Sequence, residues 1–123
     1  MLGLLNSKSG IRMIGNWVNM ALAGIGNAVP VYQISNLAAM VGVKSYKIKR
    51  ITILDVGAGG TLVHFGTGAA GAVVDAIPSI RTVNNQNVVM EYDDDNGPEL
   101  AVDLMSYPDA ATVTVQVEVD EIG

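Results

Sequence analysis

The stretch Thr112-Val113-Thr114-Val115-Gln116-Val117-Glu118-Val119-Asp120 decides the fold. Valine recurs at every second position and every residue between is polar. Side chains of a strand point alternately to its two faces, so the four valines share one face while Thr114, Gln116 and Glu118 share the other. A helix would scatter the same valines around its circumference, where β-branched side chains are also stiff. The stretch is therefore predicted as a strand with one dry and one wet face. A dry face requires a second layer to cover it.

Short runs of the same kind precede it. Residues 29–35 are β-branched and aromatic, with Pro30 marking an edge or the start of a strand. Residues 46–56 are rich in Ile and end at the turn cluster Gly57-Ala58-Gly59-Gly60. Residues 61–65 place Leu62 and His64 on one face and Val63 and Phe65 on the other. Strands over 72–76, 80–83, 88–92 and 100–105 follow, separated by Pro78-Ser79, by Asn84-Asn85-Gln86-Asn87 and by residues 93–98. Short strands at such spacings predict a mostly β chain, a single small β-barrel or jelly-roll-like sandwich over residues 29–123.

Residues 1–28 read differently and are expected to form an extended apolar N-terminal arm. They hold five Gly and four Asn among Leu, Ile and Met, and no period runs through them. Two other readings stay open. The arm's start is an opening strand of the sheet, or residues 13–22 form one short helix with Met13, Trp17 and Met20 or Ala21 on one side. A secretory leader fits poorly, because Asn16 and Asn19 break the apolar run. No run of about 18 uninterrupted apolar residues exists, so a membrane span is not expected.

Composition narrows the chemistry. The 123 residues are half hydrophobic, with one Trp, one Phe and four Tyr. Cysteine is absent, which excludes disulfides and thiolate catalysis and disfavours structural zinc. Charge is split along the chain. Residues 1–54 carry six basic residues and no acid, whereas residues 55–123 carry Arg81 against all twelve acids. Such a chain neutralises itself by packing one half on the other, or sets its basic half against an acidic neighbour. Nucleic acid is not an expected partner, since the acidic remainder repels phosphate.

Three segments look like chemistry. Gly66-Thr67-Gly68-Ala69-Ala70-Gly71 spells the dinucleotide fingerprint, but that motif must open a helix, and Val73, Val74 and Pro78 forbid one. A wide turn with closely approaching backbones is expected instead. Asp93-Asp94-Asp95-Asn96-Gly97 suggests a calcium loop, yet Pro98 or Asn96 falls where its glycine belongs and Leu104 or Val102 where its glutamate belongs. His64 is the only histidine. As a general base it would draw on Asp55 or Asp75; as a structural residue it needs only a hydrogen bond. No catalytic residue, cofactor or metal is expected, and the protein is expected not to be an enzyme.

The stretch Lys49-Arg50-Ile51-Thr52-Ile53-Leu54-Asp55-Val56-Gly57-Ala58-Gly59-Gly60-Thr61-Leu62-Val63-His64-Phe65-Gly66-Thr67-Gly68 resembles the capsid cement (decoration) proteins of tailed bacteriophages. So do Asp75-Ala76-Ile77-Pro78 and Tyr107-Pro108-Asp109-Ala110 with the valine-rich strand after it. The resemblance implies a structural virion protein, commonly a homotrimer, made in the host cytoplasm. It would bind the outside of a capsid and clamp neighbouring major capsid proteins. It implies no catalytic residues.

Contacts are expected at Leu4, Leu5, Ile11, Met13, Ile14 and Trp17, with Lys47, Lys49 and Arg50 as a charged strip. Trp17 is the best anchor, because large aromatics dominate interface energetics. Two rivals share the composition: a β-module of a phage tail or head-tail connector, and a small-ligand- or sugar-binding β-barrel. The last needs a pocket lined with aromatics, and the chain has few.

Overall fold

The structure is a computed structural model that describes residues 11–34, 42–93 and 96–123. Among these residues ten strands form two antiparallel sheets. In chain order they are β1 (Ile11–Ile14), β2 (Val18–Met20), β3 (Val29–Tyr32), β4 (Ser45–Asp55), β5 (Leu62–Thr67), β6 (Val74–Arg81), β7 (Asn87–Glu91), β8 (Glu99–Leu100), β9 (Leu104–Pro108) and β10 (Val113–Ile122). The larger sheet runs β1-β10-β4-β7, with β2 also on β10 and β8 also on β4; the smaller runs β3-β9-β5-β6. Neither sheet closes on itself. The architecture is a sandwich, and the barrel alternative is corrected.

The alternating valines do what their spacing requires. Val113, Val115, Val117 and Val119 are fully buried and face the core beside Ile48, Ile51 and Ile53 of β4. Val63 and Phe65 of β5, Leu104 of β9 and Ile77 and Ile80 of β6 close it from the smaller sheet. Each buried valine is worth about 1.5–2 kcal/mol of hydrophobic free energy, so β10 alone is a major stabilising element.

Three local features depart from simple alternation. Between Glu118 and Val119 the β10–β4 register shifts, with Glu118 opposite Arg50 and Val119 opposite Ile48. Lys49 is the extra residue of a bulge, so Lys47, Lys49 and Arg50 all lie on the outer face, where strict alternation would send Arg50 inward. Second, β6 continues through Pro78, where two strands were expected. Pro78 is accommodated because β6 is an edge strand whose register to β5 shifts there. Pro30 likewise lies in an edge strand, β3. Third, the expected strand 100–105 divides: β8 belongs to the larger sheet and β9 to the smaller.

Residues 13–22 are not helical; they carry β1 and β2, both antiparallel to β10. A 3-10 turn, Ile25–Asn27, follows. Residue 35, the last of the expected 29–35 strand, lies outside the described residues. At residues 66–71 the chain turns from β5 into β6. A side chain on Gly66 would meet the Val74 carbonyl oxygen at 2.1 Å, which is why glycine stands there.

Candidate interaction surface

The edge of the larger sheet is unusually apolar for an exposed strand. All four β1 residues are exposed. Ile11, Met13, Ile14 and the following Trp17 keep 69%, 40%, 58% and 49% of their surface accessible. Register places Met13 opposite buried Val119 and Ile11 opposite Glu121, on the core side of the sheet. A groove of about 270 Å³ opens between the sheets there, lined among others by Met13, Gly15, Val18, Pro30, Val31 and Tyr32. The Tyr32 hydroxyl donates a hydrogen bond to the Glu121 carboxylate. Burial, and then this hydrogen bond, push the Tyr32 hydroxyl's pKa well above the usual tyrosine range. Leu4 and Leu5 lie outside the described residues.

The outer face of the same sheet carries an ion network across four strands. From β1, Arg12 Nε donates to Asp120 at 2.5 Å and Arg12 Nη1 to Glu118 at 2.8 Å. From β4, Arg50 donates to the other Glu118 oxygen at 2.6 Å and stands 3.8 Å from Glu91 of β7. Lys49 lies 3.9 Å from Asp120. Burial alone would push the Glu118 carboxyl up, but the hydrogen bonds from Arg12 and Arg50 outweigh it and hold the group below its ordinary range. Of the expected strip, Lys49 and Arg50 thus meet acids of their own chain, and Lys47 is half-buried on that face. Arg12, Glu118 and Asp120 join the site unannounced. Alternation shows that Glu118 and Asp120 point outward, but only the β1–β10 register brings Arg12 between them.

The segments that resembled chemistry take structural roles. Buried Asp55 accepts from the backbone of Gly57, Ala58 and Gly60 at 3.2, 2.8 and 2.8 Å and from the Thr82 hydroxyl at 2.8 Å. It is not the partner of His64. His64 Nε2 lies 2.9 Å from Asp109, and its ring stacks on Tyr107 with centroids 4.6 Å apart. Asp94 and Asp95 of the acidic loop lie outside the described residues. Gly97 in that loop packs so tightly on β4 that a side chain would meet the Ile48 carbonyl oxygen at 1.9 Å. No group of three metal-ligating side chains occurs among the described residues. The groove above and two further clefts, of about 500 and 640 Å³, each have at most one tyrosine in their walls, not the aromatic lining a sugar site uses.

No family model matches the chain, and no curated protein matches it. Among solved structures it is similar to the coat protein of Tobacco streak virus. The structure of that coat protein dimer matches with a TM-score of 0.50 and 13% identity, over 93% of this chain and 86% of the coat chain. A second structure of the same coat protein gives 0.43 and 14%, over 88% and 86%. At such identity the first match shows a shared fold, one that spans nearly the whole chain.

Proposed function

We propose that this protein is a structural component of a virus shell, and specifically a cement or decoration subunit on the outside of a tailed-phage head. The observation that carries the reading is the fold shared, over nearly the full chain, with a viral coat protein. The surface agrees with it. Large apolar side chains cluster on one sheet edge, while much of the basic half is neutralised by the acidic half within the chain. A protein whose task is to cover area uses such a patch. Its partner in this reading is the major capsid protein. Its copies associate with one another, and it carries no catalytic function.

The test is cosedimentation of the purified protein with undecorated phage heads. Binding at a fixed ratio to the shell protein is expected, weakened at least tenfold by Trp17→Ala, which removes a large aromatic anchor. Point substitution is the cleaner probe, because deleting residues 1–20 would strip β1 and β2 from the sheet. Heads that sediment without the protein would overturn the reading. The 86% coverage of the coat chain favours one alternative, a subunit that builds the shell itself. Closed particles formed by the protein alone, seen by electron microscopy, would decide for that alternative.

A further inference from the structure

Alone among the described strands, β1 contributes no side chain to the core. It is held by its backbone ladder to residues 118–121 of β10 and by the ion pairs of Arg12 with Glu118 and Asp120. β2, a few residues on, is seated more firmly: Met20 is buried and Val18 packs on the core. Between the two strands Gly15 stays hydrogen-bonded to Val117 and Gln116 of β10, and Asn16-Trp17 interrupts the ladder as a joint. Ile11, Met13, Ile14 and Trp17 are left exposed around that joint.

We infer that β1 is an exchangeable strand, which two copies of this chain trade across a two-fold axis, each laying Ile11–Ile14 on residues 118–121 of the other's β10. Exchange keeps every interaction β1 makes at home, because the receiving surface is identical; this is why swapping an edge element is a low-cost route to a dimer. It also adds contacts. The joints meet near the axis, where Ile14 and Trp17 of one copy cover their equivalents in the other. Charge selects the occupant. The receiving half of β10 presents Glu118, Asp120 and Glu121, and the one charge on the arriving strand is Arg12, set opposite Asp120. A strand lacking a cation at that place would leave Asp120 with only the longer contact to Lys49, and Glu118 with Arg50 alone.

The inference rests on the reading of this protein as self-associating and names the surface. Because the chain has no cysteine, engineered pairs report cleanly. Met13→Cys with Val119→Cys joins residues directly opposite each other across β1 and β10. Asn19→Cys with Thr114→Cys does the same across β2 and β10. After oxidation, the first pair is expected to run mainly as a covalent dimer on a non-reducing denaturing gel, returning to monomer on reduction, while the second stays monomeric with an internal disulfide. An internal disulfide in the first pair overturns the exchange. Light scattering on the unmodified protein then separates the two failures: persisting oligomers leave self-association standing through another surface, and monomers remove both. Should the Val119 variant fail to fold, Ile14→Cys with Glu118→Cys on the outer face, which leaves the Arg12–Asp120 pair in place, gives the same readout.

Discussion

Burying a carboxylate costs several kcal/mol unless its oxygens are satisfied, and Asp55 meets that condition with four donors. Burial raises its pKa, but the hydrogen bonds from Thr82, Gly60, Gly57 and Ala58 outweigh it, so the group titrates below its ordinary value of 3.8. Glu118, held by Arg12 and Arg50, is lowered in the same way from 4.5. A lowered carboxyl is protonated more readily in the unfolded chain, so the stability it contributes is complete above the unfolded value and lost as pH falls through the folded one. Unfolding free energy is thus expected to be level above about pH 5 and to fall steeply below about pH 4. Asp55→Asn should lower the plateau by about 2–4 kcal/mol and flatten the acid limb, as followed by urea denaturation across pH. Ser106 provides the opposite case. Its hydroxyl is buried without a hydrogen-bond partner among the described residues, so Ser106→Ala should leave the melting temperature unchanged or raise it. Asp55 illustrates what sequence withholds at this scale. Its position beside a glycine cluster is visible, yet whether it serves His64 or the loop depends on distances that only the folded chain sets.

Strand β10 was fully legible, because alternation over nine residues admits one reading, and β4 was nearly so. The consequence is an asymmetry between neighbouring positions. Val117→Ala should cost about 2–3 kcal/mol in chemical denaturation, whereas outward Thr114→Ala should stay within about 0.5 kcal/mol. Elsewhere periodicity named strands without naming their sheet. Leu100 and Leu104 look like one run, but the chain passes from the larger to the smaller sheet between them, and apolar spacing is blind to that crossing. Pro78 misled in the other direction, since proline ends a central strand but not an edge strand at a register shift. The strip of Lys47, Lys49 and Arg50 shares one face only because of a bulge, which strict alternation does not contain and nothing local announces. The candidate surface inherits these limits: its apolar members were visible one by one, whereas the Arg12 latch exists only through register. Arg12→Ala should therefore speed amide hydrogen exchange across Ile11–Ile14 while residues 113–117 keep their protection.

At the scale of the whole molecule, the division of charge along the sequence is resolved in part by folding: Arg12, Lys49 and Arg50 from the basic half meet Glu118, Asp120 and Glu91 from the acidic half. Ion pairs at a surface weaken with ionic strength. Raising salt from low to molar concentration is expected to loosen β1 before it changes the cooperative melting of the sandwich, as read by hydrogen exchange beside calorimetry. The prolines in the outer strands of the smaller sheet bear on growth. Pro30 and Pro78 sit in its two outermost strands, and each removes a hydrogen-bond donor from a border where a further strand would have to attach. Both margins of that layer are thus hindered against a further strand, which leaves the other layer the better template for main-chain pairing between molecules. Backbone pairing with partners is thereby discouraged along one of the two sheets, a useful restraint for a molecule that holds so much valine and isoleucine in extended form.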